Sequence, residues 1–429
     1  MAFVASRFAP GQRSIRVQLV PQILNTLRLR HGISRRSEDD KWMFLQALGI
    51  LYAWASPLPL ERISDDDAIN AQLSHTDLKA LVESTALTLS LHRSADDVAE
   101  LVWNEKEIRD SLALRKYLFW LWLYTLAHRY SLLTSTPPTI PEDTTIKLAP
   151  DLLKNLIDDH YVGRIMSEID LSLLWRQAGL HQHGLGEWWC LLSPNDINIP
   201  SALAVIGDLT KALDIWSERW CPAGGLNMDI RFMFITFNYR FSRFCISTYF
   251  VRILRSISAE KMPYSTQLNY VLESVRAAVT FCGYILELPP LTIDYGRYLA
   301  DTAFVKIAYA CEFVLRGCEI LHTNPDYDDL RSSLNTVKDV ALLMHQLAVD
   351  EVHCAKFYGQ ALLEKVHDFE KRLQSGPVAW ERSPASTQDT SYQPAQDLHS
   401  PESRSGGLFS DLIKEFAAEA AFIDPFLLQ

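Results

Sequence analysis

The chain has 429 residues, of which 48% are hydrophobic and 22% are charged. This composition is ordinary for a globular protein and excludes a chain that is disordered throughout, because disordered chains carry far fewer apolar residues. The formal net charge of −11 argues against nucleic-acid binding by bulk electrostatics. A contact with DNA would therefore need a local basic patch, a further segment or a partner protein.

The N-terminal segment is basic. The first 37 residues contain seven arginines and no Asp or Glu. Mitochondrial transit peptides have that bias, but so does a helix with one basic face, and we favour the helix. No secretory signal peptide is recognisable in this segment.

Helical spacing of apolar residues dominates the chain. It predicts helices over 41–55, 77–91, 107–133, 201–220, 226–258, 266–287, 294–321 and 328–373. Pro137 and Pro138 close the third of these, since proline cannot continue a helix, and Ser201 is expected to cap the fourth. Strand-like alternation is nearly absent. We predict an all-α protein, with one large multi-helical domain over residues 1–375.

The composition changes at Gly376. Residues 376–407 are rich in Ser, Pro, Gln and Asp and cannot bury enough apolar surface to offset chain entropy, so we predict a disordered linker. Residues 408–429 read as a short acidic amphipathic tail. Its hydrophobic anchors are Phe409, Leu412, Phe416, Phe422 and Phe426.

The stretch 120–140, "WLWLYTLAHRYSLLTSTPPTI", has the apolar character of a membrane anchor but not the length. Uncharged residues run only from 117 to 127. They cover roughly 16 Å of helix, against a hydrocarbon core of about 30 Å. We therefore predict a core helix here and no membrane partner.

Cysteine and histidine patterns do not favour a metal site. The seven cysteines contain no C-x-x-C pair, so we expect reduced, mostly buried cysteines of an intracellular protein. Two histidine groups are weak metal candidates by their spacing. They are His181, His183, Glu187 and Cys190, and His345, His353 and Cys354.

Motifs of catalysis are also missing from the sequence. It has no phosphate-binding G-x-x-x-x-G-K-[ST], no strand followed by G-x-G-x-x-G, and no G-x-S-x-G. The paired carboxylates, such as Asp158 and Asp159, stand at probable helix starts, where acidic residues favour the helix dipole. We predict no catalytic residue, no metal ligand and no cofactor in this chain.

Four segments occur in an order typical of one protein family. "VASRF" spans 4–8, a helix at 45–51 contains Gln46 and Ala47, and "ALTLSLHR" spans 86–93. The fourth segment begins at Trp120. The members of the third and fourth segments that carry the pattern are Leu91, His92, Arg93, Trp120, Tyr124, Arg129, Ser131, Pro137 and Pro138.

These segments resemble the middle homology domain of fungal zinc-cluster transcription factors. The third resembles the family's A-x-x-LGLHR, with Ser90 in place of glycine, and the fourth resembles WW-x-LY-x-x-DR-x-x-SL-x-x-GRPP-x-I. Ala127 and His128 stand where the family has Asp, and 135–136 replace Gly-Arg. The resemblance covers residues 1–370, most clearly 40–145.

The resemblance implies a nuclear regulator of transcription by RNA polymerase II in a fungus, and not an enzyme. The family binds DNA through a zinc cluster with six cysteines, whereas the first cysteine here is Cys190. Zinc is therefore expected only with an upstream cluster, and DNA contact only through such a module or a partner. The tail would recruit transcription machinery or a coactivator as an activator, and a homodimer or a related regulator is a further expected partner.

Two alternatives stay open. The chain could be a non-DNA-binding interaction protein, such as a dominant-negative partner of a complete factor. It could also be an enzyme on a helical scaffold, which would need a polar catalytic cluster that the sequence does not show.

Overall fold

The computed structural model describes residues 2–28, 37–54, 75–104, 106–134, 137–181, 185, 198–221, 230–256, 263–322, 329–351 and 353–374. All regular secondary structure in these residues is helical, which confirms the predicted all-α class. The predicted linker 376–407 and tail 408–429 lie outside the described residues.

Sixteen α-helices and two short 3-10 helices make up the described structure. In chain order the α-helices are α1 Ala2–Arg7, α2 Arg13–Arg28, α3 Glu38–Ala53, α4 His75–Thr88, α5 Ser94–Trp103, α6 Leu112–Thr134, α7 Thr144–Lys147, α8 Ala149–Leu152, α9 His160–His181, α10 Ile199–Trp220, α11 Ile230–Ser256, α12 Tyr264–Leu286, α13 Pro290–Gly296, α14 Asp301–Leu321, α15 Leu330–Leu347 and α16 Cys354–Gln374. The 3-10 helices are Leu91–Arg93 and Lys154–Leu156.

Two helices, α6 and α14, lie at the centre of the packing. Helix α14 packs against α12, α15, α16 and α6, and sixteen of its 21 residues are buried. Helix α6 packs against α5, α9 and the first 3-10 helix. Its buried side chains include Trp120, Leu121, Tyr124 and Tyr130. A helix that is apolar on nearly all sides belongs in a core, as the sequence predicts for the 120–140 stretch.

Several predicted helix boundaries are wrong, and the helix predicted over 77–91, for example, ends at Thr88. The helix predicted over 107–133 begins at Leu112, where the Ser111 hydroxyl accepts the Leu114 N–H at 3.1 Å. The helix predicted over 294–321 begins at Asp301. The segment 328–373 forms two helices, and its break carries Asp350, which pairs with the Arg16 guanidinium from α2. A contact so distant in sequence leaves no local signal.

The cap of α10 also differs from the prediction. The helix begins at Ile199, and the side chain of Asn198 accepts a hydrogen bond from the Ser201 N–H at 3.0 Å. Ser201 therefore donates to the cap instead of being the cap. Asn and Ser are almost equally favoured at this position, so the sequence alone does not separate them.

The basic N-terminal segment forms two helices, α1 and α2, that pack on the rest of the protein. The Nη2 group of Arg7 in α1 donates to both carboxylate oxygens of Asp301, at 3.1 and 2.9 Å. Arg16 of α2 pairs with Asp350, and both guanidinium groups are largely buried. These arginines therefore bind α14 and the α15–α16 connection and do not form an open basic face.

Six cysteines lie in the described part of the chain, and all six are free thiols. Five are buried and Cys221 is half-buried, as the sequence predicts, while Cys190 is outside the described residues. Burial raises the pKa of Cys245 to about 12, so its thiol is protonated and unreactive at neutral pH. None of the described helices is long and apolar enough to cross a membrane.

Candidate functional site

The predicted signature segments come together around α6. The His92 ring packs edge-on against Trp120, with ring centroids 6.2 Å apart. The Tyr130 hydroxyl donates to the backbone carbonyl of Tyr52 at the end of α3, at 3.2 Å. Beyond the two prolines, the Thr139 hydroxyl donates to Glu83 of α4. Segments far apart in sequence thus form one packed unit.

The signature residues divide into a buried group and an exposed group. Leu91, Trp120, Tyr124 and Ser131 are buried, His92, Arg129 and Pro138 are half-buried, and Gln46, Ala47, Arg93 and Pro137 are exposed. The buried group stabilises the helical core. The exposed group includes Gln46, which lines a surface cleft described below.

Ser90 adopts a left-handed backbone conformation, with φ 55° and ψ 33°. Within the described residues it is the one non-glycine residue with a positive φ. This conformation turns the chain from α4 into the 3-10 helix Leu91–Arg93. A side chain at such a position is strained, whereas glycine adopts it freely. The resembled A-x-x-LGLHR segment has glycine at the position of Ser90, and the left-handed backbone at this position favours glycine.

Replacing Ser90 by glycine is expected to raise the free energy of unfolding by about 1 kcal/mol, because it removes the left-handed strain. Chemical denaturation of the two proteins measures the difference. Ser332→Gly, at an exposed position in the first turn of α15, is the control, and it should lower stability by up to about 0.5 kcal/mol, because glycine is less favourable than serine in a helix. A loss of stability in Ser90→Gly equal to that of the control contradicts the strain argument.

Arg129 belongs to a charged cluster inside the protein. Its guanidinium pairs with Glu168 of α9, whose side chain is only 9% exposed. Arg164, one turn before Glu168, lies 3.8 Å from the same carboxylate and stacks on Phe234 at 4.2 Å. Burial and the neighbouring Arg164 act to lower the pKa of Arg129, and the direct contact with the Glu168 carboxylate opposes them. The carboxylate of Glu168 compensates these two cations at the α6–α9 interface.

Lys306 of α14 is a second buried cation, with a residue exposure of 7%. Its ammonium nitrogen lies 3.5 Å from Asn238 Oδ1 and 4.8 Å from the centre of the Phe241 ring. No carboxylate in the described residues forms an ion pair with it. Burial, with a smaller contribution from Arg129, lowers the pKa of Lys306 from 10.5 to about 8. Lys306 is not among the residues that the sequence predicts to be functional.

Three polar side chains follow one stripe of α6 at a spacing of four residues. Trp120 Nε1, Tyr124 Oη and His128 Nε2 are buried and have no hydrogen-bond partner among the described residues. The Tyr124 and His128 rings lie 4.2 Å apart. Burial, and then the charge of Arg176, lowers the pKa of His128 to about 4, so its ring is neutral at physiological pH. The stripe therefore carries hydrogen-bonding capacity without charge.

A surface cleft of about 320 Å³ opens where α3, α6 and the start of α9 meet. Its lining residues are Trp42, Gln46, Arg109, Leu114, Arg115, Leu118, Phe119, Leu156, Asp159, Tyr161 and Val162. The lining combines aromatic rings, two guanidinium groups, one amide and one carboxylate. Such a mixture can bind a small organic molecule, since apolar walls supply affinity and a few polar groups fix orientation.

Of the two weak metal candidates, the structure describes the whole of the second, His345, His353 and Cys354. His353 is buried with its ring between Phe8 and Phe304, at centroid distances of 6.3 and 5.4 Å. His183, Glu187 and Cys190 lie outside the described residues. In the described parts of the chain, no group of three or more His, Cys, Asp or Glu residues is arranged to hold a metal ion.

Comparisons with protein-family models, with curated proteins and with solved structures find no match for this chain.

Proposed function

We propose that this chain is the helical regulatory part of a fungal zinc-cluster-type regulator of RNA polymerase II transcription, and that it acts in the nucleus. The proposal is carried by Ser90. The glycine of the resembled A-x-x-LGLHR segment coincides with the one described non-glycine residue that needs a left-handed backbone. The packing of His92 on Trp120 gives further support, because it joins two of the resembled segments.

In this proposal DNA contact comes from a zinc-cluster module of the same regulator. The helical body holds that module's activity in check, and the acidic tail 408–429 recruits the transcription machinery. A hydrophobic groove on a coactivator would take the Phe and Leu anchors, while the acidic residues keep the tail soluble. The charge of −11 fits a chain that does not itself contact DNA.

Fusion of the full chain to a heterologous DNA-binding domain tests the proposal. We expect the fusion to activate a reporter gene, and the double substitution Phe416→Ala with Phe422→Ala to reduce activation at least tenfold. Phe357→Ala, which removes a 46% exposed phenylalanine from α16, is the matched control and should leave activation unchanged. A full-chain fusion without effect on the reporter contradicts the proposal. Activation that survives the double substitution contradicts the role of the tail.

The second candidate is an interaction protein that reaches chromatin only through a complete factor, as a homodimer or a mixed dimer. The net charge of the chain favours it equally. Deletion of the partner gene separates the two candidates. Promoter occupancy that persists without the partner excludes the second, and occupancy that disappears supports it.

A further inference from the structure

The cleft between α3, α6 and the start of α9 has the dimensions of a small-molecule site. Its volume of about 320 Å³ falls at the lower end of the range of about 300–1,000 Å³ typical of ligand pockets. Leu118 and Leu156 are buried and support its floor, while Arg109, Arg115 and Tyr161 are exposed around it. A ligand could therefore enter from solvent without rearrangement of the helices.

Aromatic side chains give the cleft a rigid apolar wall. Trp42 of α3 and Phe119 of α6 pack edge to face, with ring centroids 5.3 Å apart and an angle of 72° between the planes. Phe119 also packs against Trp122, at 5.3 Å. These contacts fix the ring of Phe119, and Tyr161 lines the cleft from the start of α9. Fixed rings favour a planar ligand, since stacking then needs little ordering of side chains.

The polar groups of the cleft favour an anion. Arg109 and Arg115 line it, and neither forms an ion pair with a residue that the structure describes. Asp159 is the one carboxylate of the lining, and its Oδ1 accepts the N–H groups of Tyr161 and Val162, at 2.9 and 3.1 Å. That carboxylate is therefore engaged in capping α9. The two guanidinium groups remain available to a ligand.

Helix dipoles add to this positive potential. Helices α6 and α9, of 23 and 22 residues, both begin at the cleft, and neither has an acidic residue in its first turn. Helix α3 differs, since its first turn contains Glu38, Asp39 and Asp40. The N-terminal end of a helix carries a partial positive charge that attracts anions. Asp159 offsets this charge at α9 but not at α6.

We propose that this cleft binds a small planar organic anion, with its apolar body against Trp42 and Phe119 and its carboxylate held by Arg109 and Arg115. The fork of N–H donors on a guanidinium group matches the two oxygens of a carboxylate. A planar aromatic acid carries that group on a flat apolar body. The inference goes beyond the proposed function and does not depend on it, because it rests on the lining of the cleft alone.

Titration calorimetry on the full chain tests the proposal with benzoate and 1-naphthoate as probes, each against its neutral amide. We expect naphthoate to bind at least tenfold more tightly than naphthamide. Arg115→Gln and Arg109→Gln should each weaken naphthoate binding by at least tenfold and leave amide binding unchanged. Arg331→Gln, at an exposed position of α15, is the matched control and should bind as the unmodified chain does.

Three results overturn the proposal: no heat of binding from either acid at millimolar concentration, equal affinity for acid and amide, or equal binding by the Arg115→Gln and Arg331→Gln proteins. Both cleft arginines are exposed, so the variants should fold, and thermal melting confirms it. Naphthoate binding to the cleft together with a silent reporter fusion would support the ligand site and contradict the transcriptional role. Failure of the ligand proposal and failure of the proposed function can therefore be told apart.

Discussion

Replacement of Arg129 by methionine is expected to lower the free energy of unfolding by about 3 kcal/mol. Its partner Glu168 lies at the α6–α9 interface with a side chain that is 9% exposed. Without Arg129 the carboxylate keeps only Arg164, at 3.8 Å and more exposed to water. A buried charge that loses its partner retains its desolvation penalty but loses the attraction that offset it.

The ion pair between Arg129 and Glu168 also predicts that their substitutions are energetically coupled. The double variant Arg129→Met with Glu168→Met should be more stable than the sum of the two single effects predicts, by at least about 1.5 kcal/mol. Methionines fill the space and remove both charges of the pair, so that only the more exposed Arg164 of this cluster remains charged. Urea denaturation of the four proteins gives the coupling energy. Arg331→Met, at an exposed position of α15, should change stability by no more than about 0.5 kcal/mol. Additive single effects would contradict a direct ion pair.

Replacement of Lys306 by methionine is expected to have the opposite effect and to raise the free energy of unfolding at pH 7 by about 3 kcal/mol. Lys306 is 7% exposed and its nearest polar partner is a neutral amide at 3.5 Å. The pKa of Lys306 falls from 10.5 to about 8 because a charged ammonium group is less favourable inside the protein than in water. Methionine has a similar length and no charge, so it removes that penalty.

The stabilising effect should depend on pH. The pKa of Lys306 is about 8 in the folded chain and 10.5 in the unfolded chain, so the unfolded state binds more protons between these values. The loss of folding stability caused by the buried charge of Lys306 is therefore complete below pH 8 and decreases as the pH rises towards 10.5. The advantage of Lys306→Met should fall to less than half between pH 7 and pH 9.5. Cys245 interacts with the Lys306 charge, but its pKa of about 12 keeps it protonated in the folded chain over this range.

Lys338→Met is the matched control for this experiment. Lys338 is exposed on α15, and its replacement should change stability by no more than about 0.5 kcal/mol at either pH. A destabilised Lys306→Met protein would show that the ammonium group makes a net favourable interaction. That result would contradict the claim that Lys306 is a buried cation without an ion-pair partner among the described residues. An advantage that does not change with pH would contradict the lowered pKa.

Much of the helical framework follows from the sequence. The predicted helix 266–287 is α12, Tyr264–Leu286, and its interior has the apolar spacing that identifies a core-facing helix. The boundaries fail where tertiary contacts decide them. The break between α15 and α16 contains no proline or glycine, and Asp350 there pairs with Arg16, a residue 334 positions earlier in the chain. No local pattern encodes that contact.

The sites were less predictable than the helices. The cleft brings together residues from Trp42 to Val162, which share no spacing that a sequence pattern could detect. Lys306 did leave a signal, because it is the one charge inside the apolar run "TAFVKIAYA". A cation within a helix that is apolar on nearly all sides must be buried, and this rule would have identified it. The strain at Ser90 became visible only with the backbone conformation.

The most direct test of the transcriptional role is the chromatin occupancy of the full chain, tagged at its own locus. We expect nuclear accumulation and enrichment at a limited set of promoters, because the chain reaches DNA through a zinc-cluster module or, in the second candidate, through a partner factor. An even distribution at background level, with the chain outside the nucleus, would contradict it.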